Sequence, residues 1–101
     1  MSQGLPIALP MDAVAEFCRR HGIARLSLFG SVLRNDFTPE SDIDVLVEFL
    51  PTTRIGLIGM ANLEAELSAT LGRRVDLRTP ADLSRSFRDE VVASARLLHV
   101  A

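Results

Sequence analysis

Residues 26–49 read LSLFGSVLRNDFTPESDIDVLVEF, and they carry the strongest structural signals of the chain. It contains an apolar strand, a break at Gly30-Ser31, a polar stretch, and a second apolar strand that opens with Asp42 and Asp44. Aspartate is a poor strand residue, so two aspartates at the start of the most hydrophobic strand need a physical reason. After Asp44 the strand is almost continuously apolar, which predicts burial on both faces at the centre of a sheet.

The spacing of Asp42 and Asp44 puts both side chains on one face of the strand, with Cα atoms roughly 6.6–6.8 Å apart. Two carboxylates in such an apolar setting repel each other and lose hydration. A divalent cation removes both problems, and hard oxygen ligands favour magnesium or manganese over zinc. A bare Asp-x-Asp more often flanks an exposed strand start, so the pair alone does not establish a metal site.

Two further features favour a site. Gly30-Ser31 follows a strand, and a glycine that allows close backbone approach, followed by the N–H groups of a helix start and a serine hydroxyl, can bind an anion. Asp76 lies within RRVDLR, residues 73–78, on the face opposite its apolar neighbours. Taken singly, Gly-Ser is usually a turn, and Asp76 reads as an edge-strand acid paired with arginine. Together, three carboxylates beside an anion site are what metal-assisted phosphoryl or nucleotidyl transfer requires.

The rest of the chain alternates helices and strands. An irregular arm over residues 1–11 precedes a single domain over residues 12–101, whose first helix is N-capped by Asp12 and ended by Gly22. Strand patterns cover residues 24–29, 42–50 and 73–78. A helix pattern covers residues 57–71 and ends at Gly72.

The sequence after residue 78 carries two helix-start signals, at Thr79 and at Ser86, and it ends in a helix and a short apolar tail, RLLHV. Arg85 and Arg88 are expected on the solvent-facing side of that helix. The whole pattern predicts an α+β (α/β-like) fold, a small mixed β-sheet with helices packed on it.

Composition limits the class of function. The net charge of −2 argues against duplex nucleic acid as a direct ligand. The one cysteine, Cys18, lies in an amphipathic pattern and is expected in the core, and this cysteine usage suits a reducing compartment. With no signal peptide and no apolar run near the roughly 20 residues of a membrane span, a soluble cytoplasmic protein is expected. Hydrophobic residues make up 48% of the 101 residues, so some apolar surface is expected to face a partner in a homo- or hetero-oligomer.

The stretch GSVLRNDFTPESDIDVLVEF, residues 30–49, resembles the signature of the minimal nucleotidyltransferases, in the polymerase-beta-like superfamily: Gly-Ser, ten residues, then Asp-x-Asp. LGRRVDLRTPADLSRSFRDEVVASARLL, residues 71–98, resembles the third-aspartate strand and closing helices of that family. The resemblance covers roughly residues 12–100 and implies the nucleotidyltransferase fold.

The resemblance also implies roles for individual residues. Asp42 and Asp44 would bind two metal ions, Mg²⁺ or alternatively Mn²⁺, together with the nucleotide phosphates. Asp76 would complete the metal site and serve the incoming hydroxyl. The triphosphate would be held by Gly30 and Ser31, with Arg34 either assisting or pairing with Asp36. His21 and His99 lack metal-type spacing and are expected to be capping, surface or interfacial residues.

The function implied by the resemblance is that of an antitoxin. It would transfer AMP from ATP to a tyrosine hydroxyl of a HEPN-domain toxin. Two alternatives stay open: an antitoxin without catalysis that masks its partner by binding, and nucleotidyl transfer to a small-molecule acceptor. The three acids favour an enzyme, because a masking surface does not require them.

Overall fold

The protein is described by a computed structural model that covers residues 9–33, 38 and 40–101, excluding the side chain of Ser31. Its helices are α1 (Met11–His21), α2 (Leu57–Leu71) and α3 (Arg85–Ser94), and its strands are β1 (Ile23–Phe29), β2 (Ile43–Phe49), β3 (Val75–Arg78) and β4 (Arg96–Val100). The strands form one sheet in the order β3-β2-β1-β4, in which β2 and β3 are parallel and the other pairs antiparallel. The prediction of an α+β fold with a small mixed sheet is confirmed.

The core lies on both faces of this sheet. On one face, α1 and α2 bury Phe17, Cys18 and Leu67 against alternate residues of β1, β2 and β3. On the other face, Phe29 and Leu46 pack against Leu83 and Val91. Strand β2 is therefore buried on both sides, as its continuous apolar run predicts. Side chains alternate between the two faces along each strand, so those that do not join the larger core, such as Asp44, lie on the α3 side of the sheet.

The predicted C-termini of the helices match the structure more closely than the predicted N-termini do. Gly22 and Gly72 close α1 and α2 in the left-handed conformation, with φ of 65° and 69°, as predicted. At the other ends, α1 begins at Met11, so Asp12 lies in its first turn instead of capping it. Helix α3 begins after Ser84 and not after Ser86. Acidic and hydroxyl side chains both favour the N-terminus of a helix, so two such residues close together leave the first helical residue uncertain by about two positions.

The prediction that residues 96–100 form only an apolar tail is wrong. These residues form β4, an edge strand that pairs antiparallel with β1, and Ala101 continues the pairing through its N–H to Ala24 O at 2.8 Å. The pattern RLLHV lacks clean alternation, and the pairing contains a register shift between Leu26 and Ser27. Both features weaken the local strand signal, so the pairing with β1 determines the strand.

Cys18 belongs to this core. Its side chain is fully buried on α1, and burial raises the pKa of the thiol to about 11. A thiol that stays protonated in this way is not a nucleophile at neutral pH, so the prediction of a core cysteine is confirmed. In the described part of the chain, no helix is both long enough and apolar enough to cross a membrane.

Candidate active site

The parallel pairing of β2 with β3 brings two of the predicted carboxylates together. Asp44 and Asp76 are register partners across these strands, whose backbones lie about 4.7–4.9 Å apart. Asp76 alternates with Val75 and Leu77, which face the core, so its side chain emerges on the same face as Asp44. A residue pair more than thirty positions apart in sequence is thus adjacent because the sheet is parallel at this point.

Gly30 lies next to Asp44, on the side opposite Asp76. Strand β1 ends at Phe29, the register partner of Asp44, and the chain then turns into a short 3-10 helix, Gly30–Leu33. Gly30 has φ of 77°, and a Cβ added there would overlap Asp44 Oδ2 and come within 3.0 Å of Asp44 Cγ. Only glycine accommodates this combination of backbone and neighbour. Of the other predicted phosphate contacts, Arg34 and the side chain of Ser31 lie outside the described residues.

Asp44 and Asp76 line a cleft of about 760 Å³ between the sheet and α3. The wall that faces them is largely apolar, with Leu83, Phe87 and Val91, and it also carries Glu90 and Ser94 of α3. Leu83 and Val91 are buried, whereas Phe87 is 48% exposed although it lines the cleft. A polar wall with carboxylates and an apolar wall with an accessible aromatic ring form a typical ligand site.

An arginine occupies the carboxylate wall. Arg78 Nε lies 3.0 Å from Asp76 Oδ1, and a terminal guanidinium nitrogen of Arg78 lies 3.3 Å from Asp76 Oδ2. The two contacts form a fork that uses both carboxylate oxygens. The hydrogen bond to Asp76 raises the pKa of the Arg78 guanidinium above its ordinary value, with smaller contributions from the charges of Asp82 and Asp44.

Asp42 lies apart from this cleft. It borders a neighbouring hollow of about 310 Å³, which it shares with Arg74, Glu64 and Asp76, so Asp76 borders both spaces. Asp42 Oδ1 is 4.0 Å from Arg74 Nε. Across the described residues, no three acidic, histidine or cysteine side chains converge into a cluster ready to hold a metal ion. Like charges repel, and the nearby arginines offer Asp42 and Asp76 alternative partners.

The donor chemistry of the cleft nevertheless suits a hard divalent cation. Asp44 and Asp76 present carboxylate oxygens from adjacent rigid strands, and these are the ligands that Mg²⁺ and Mn²⁺ prefer. The close approach of the Gly30 backbone to Asp44 leaves room beside those oxygens that a side chain would fill. Asp44 and Asp76 therefore fit the ion, and Asp42 is the adjacent acid that faces Arg74.

Several residues of the site were missed by the sequence reasoning. Arg73 donates hydrogen bonds to the carbonyl oxygens of Thr38 and Ser41 at 3.2 and 3.3 Å, and so anchors the segment before Asp42. Arg88, expected on the solvent-facing side of α3, donates to Leu83 O at 3.2 Å. The apolar wall could have been suspected from the spacing of Phe87 and Val91 on one helix face.

Comparison with known proteins shows the family to which this chain belongs. The sequence profile of the nucleotidyltransferase domain matches residues 11–99. The chain belongs to the nucleotidyltransferase domain family. The match takes in Gly30, Asp44 and Asp76, and it confirms the predicted class of enzyme, a nucleotidyltransferase.

Relatives of this nucleotidyltransferase include a protein adenylyltransferase, MntA, of Thermococcus cleftensis. It is 34% identical over 79 residues, which are 76% of either chain. A solved toxin–antitoxin structure with AMP-PNP contains a chain with a TM-score of 0.73 and 23% identity over 92% of this chain and 75% of that chain.

A second solved structure is a complex of a tri-AMPylated Shewanella oneidensis HEPN toxin with an MNT antitoxin. Its matching chain has a TM-score of 0.65 and 22% identity over 90% of this chain and 70% of that chain. At these identities the two structures establish the shared nucleotidyltransferase fold.

Proposed function

We propose that this nucleotidyltransferase transfers AMP from ATP to a tyrosine hydroxyl of a HEPN-domain toxin, with Mg²⁺ or alternatively Mn²⁺ as cofactor, and so acts as its antitoxin. The observation that carries the proposal is the register pairing of Asp44 with Asp76, beside a glycine whose missing side chain leaves space at Asp44. An arrangement of this kind has no use in a surface that only masks a partner.

The comparisons support the acceptor class. The MntA relative is named a protein adenylyltransferase, and the S. oneidensis complex pairs an AMPylated HEPN toxin with an MNT antitoxin. The structure with AMP-PNP supports an adenine nucleotide as the donor. An open cleft with an exposed Phe87 on its rim is compatible with an acceptor side chain that a partner protein supplies.

The chemistry assigns a task to each residue. Bound Mg²⁺ would neutralise the phosphates and stabilise the leaving pyrophosphate. Asp44 and Asp76 would hold the cation, with Asp42 as the third carboxylate, while Gly30, Ser31 and Arg34 are proposed to contact the triphosphate.

Asp76 is also proposed to accept the proton of the acceptor hydroxyl as its oxygen attacks the α-phosphorus. The bond from that phosphorus to the bridging oxygen of the β-phosphate breaks, and pyrophosphate leaves. Rigid strands contribute by positioning these groups before the substrate arrives.

The direct test is to incubate the chain with Mg²⁺, ATP and its cognate HEPN partner, and to weigh the partner by mass spectrometry. We expect an added adenylate on a tyrosine of the partner. The double variant Asp42→Asn, Asp44→Asn is expected to lower transfer at least about 100-fold, because the cation loses two ligands. Its fold should survive, since removing like charges relieves repulsion.

Asp89→Asn is a matched control, because Asp89 is an exposed acid of α3 that does not line the cleft. It should transfer AMP at the rate of the unmodified chain. If the unmodified chain silences its partner without adding an adenylate, the enzymatic proposal is wrong and the chain acts by masking. If the double variant unfolds, the two aspartates have a structural role instead.

A further inference from the structure

Arg78 is the feature of the cleft that the proposed function does not use. Among the described residues that line the cleft, it is the one cationic side chain, alongside the carboxylates of Asp44, Asp76 and Glu90. It follows Asp76 by two positions on β3 and therefore lies on the same face of the strand. A positive charge at this point affects every anion that enters the cleft.

The ion pair of Arg78 with Asp76 engages both oxygens of a proposed metal ligand. The contacts at 3.0 and 3.3 Å occupy Asp76 Oδ1 and Oδ2 with guanidinium donors. A carboxylate held in such a fork cannot direct the same lone pairs at a cation. The fork leaves the second lone pair of each oxygen, but the guanidinium charge beside Asp76 repels a cation, so cation binding at Asp76 is favoured when the fork opens.

Exposure makes that opening easy. The Arg78 side chain is 48% exposed and that of Asp76 is 34% exposed, and ion pairs this accessible to water contribute little to stability. Once released, the guanidinium stays in the cleft on a strand end. A planar guanidinium is well suited to bind phosphate oxygens through two donors.

We propose that Arg78 is a phosphate-binding residue with two alternative partners: it pairs with Asp76 in the absence of nucleotide, and it binds the triphosphate once Asp76 holds the cation. The inference rests on the proposed function and adds a residue to it. The exchange offsets the repulsion that Asp44, Asp76 and Glu90 exert on an entering triphosphate. It also keeps Asp76 paired in the empty site.

The proposal predicts that one substitution changes two affinities in opposite directions. In Arg78→Met the stem of the side chain stays, but the charge and the fork are lost. Asp76 is then available, so the affinity for Mn²⁺ without nucleotide should rise about two- to five-fold. The triphosphate loses its guanidinium, so the affinity for AMP-PNP at saturating Mn²⁺ should fall roughly ten-fold. Free Mn²⁺ is measured by electron paramagnetic resonance, and AMP-PNP binding by titration calorimetry.

Two controls separate this role from a structural one. Arg78→Lys keeps the charge without the fork, and both changes should be smaller than in Arg78→Met. Arg85→Met removes an exposed arginine of α3 that does not line the cleft, and it should change neither affinity. Thermal unfolding verifies that each variant is folded.

The outcomes distinguish the two proposals. If the unmodified chain binds both probes, but Arg78→Met lowers both affinities together or changes neither, Arg78 is not the exchanging residue. If the unmodified chain binds neither Mn²⁺ nor AMP-PNP, the proposed function itself fails, and the role of Arg78 fails with it.

Discussion

At the scale of single residues, Gly30 combines two constraints that are separable by mutation. Its φ of 77° lies in the region that L side chains disfavour, and a Cβ would also overlap the Asp44 carboxylate. Gly72 has a similar φ of 69°, but a Cβ built there meets nothing within 4 Å. The chain thus contains a matched pair of glycines, of which one touches the proposed site and the other does not.

We expect Gly30→Ala and Gly72→Ala each to lower the free energy of unfolding by about 1–2 kcal/mol, the cost of a left-handed alanine. Only Gly30→Ala should also displace Asp44 and reduce AMP transfer, on the order of 100-fold, because misplacement by an ångström is costly in a positioned site. Urea unfolding and the partner-adenylation assay measure the two effects. Equal transfer by both variants would mean that Gly30 serves the turn alone.

At the scale of elements, the free edge of β3 is covered by α2. The N–H of Val75 donates to Ser68 Oγ at 3.0 Å, and the N–H of Leu77 donates to Glu64 Oε2 at 2.8 Å. Ser68 in turn donates to the backbone oxygen of Glu64 at 2.7 Å. Two side chains one helical turn apart thereby accept hydrogen bonds from the N–H groups of an edge strand, which would otherwise have no partner strand on that side. This helix holds β3, and with β3 it holds Asp76 in place.

Ser68→Ala is expected to lower the free energy of unfolding by about 1–3 kcal/mol, because it leaves the N–H of the buried Val75 without its acceptor. Thr70→Ala is the control on the same helix, since Thr70 Oγ1 donates only to the backbone of Glu66 in its own helix, at 3.0 Å. Its effect should be within about 0.5 kcal/mol. Chemical denaturation compares the two. A Ser68→Ala variant as stable as Thr70→Ala would show that the edge is satisfied in another way.

At the scale of the whole molecule, one charged cluster joins α1 to α2. The Glu66 carboxylate accepts a hydrogen bond from Arg20 and lies 3.0 Å from His21 Nε2. His21 also packs against Phe17, with ring centroids 4.9 Å apart. The Arg20 hydrogen bond, followed by the contact with His21, holds the pKa of Glu66 below its usual value. The two helices that cover one face of the sheet are therefore linked by a group whose charge depends on pH.

A lowered carboxyl pKa stabilises the folded state above the ordinary glutamate pKa, and this contribution is lost as the pH falls through the lowered value. Glu66→Gln should therefore lower the unfolding temperature at neutral pH, by a few degrees at most because the pair is partly exposed. The difference from the unmodified chain should vanish in acid, below the pKa of folded Glu66. Thermal scans from pH 7 to pH 2 measure it, and Asp89→Asn on α3 is the reference. A difference that stays constant with pH would contradict this link.

Much of the fold was predictable because its signals are local. The helix over residues 57–71 and the glycines that end α1 and α2 follow from periodicity and backbone preference within a few residues. The buried β2 follows from its apolar run. Strand β4 was not predictable, because RLLHV becomes a strand only through pairing with β1, some seventy residues earlier. The sequence pointed to Asp44 and Asp76 and to an arginine paired with Asp76, but it did not decide which arginine forms that pair.

Local sequence was enough to specify the types of residue that the site contains: a glycine after one strand, acids on two others, and the helices that pack against these strands. These depend on alternation, chain stiffness and residue chemistry, which act over short stretches of chain. Which of these groups meet depends on the folded arrangement of the strands. The parallel register of β2 with β3 places Asp44 beside Asp76, while Arg74 and Arg78 draw Asp42 and Asp76 toward separate partners. Such contacts depend on distances between residues far apart in the chain, and strand pairing and packing set those distances.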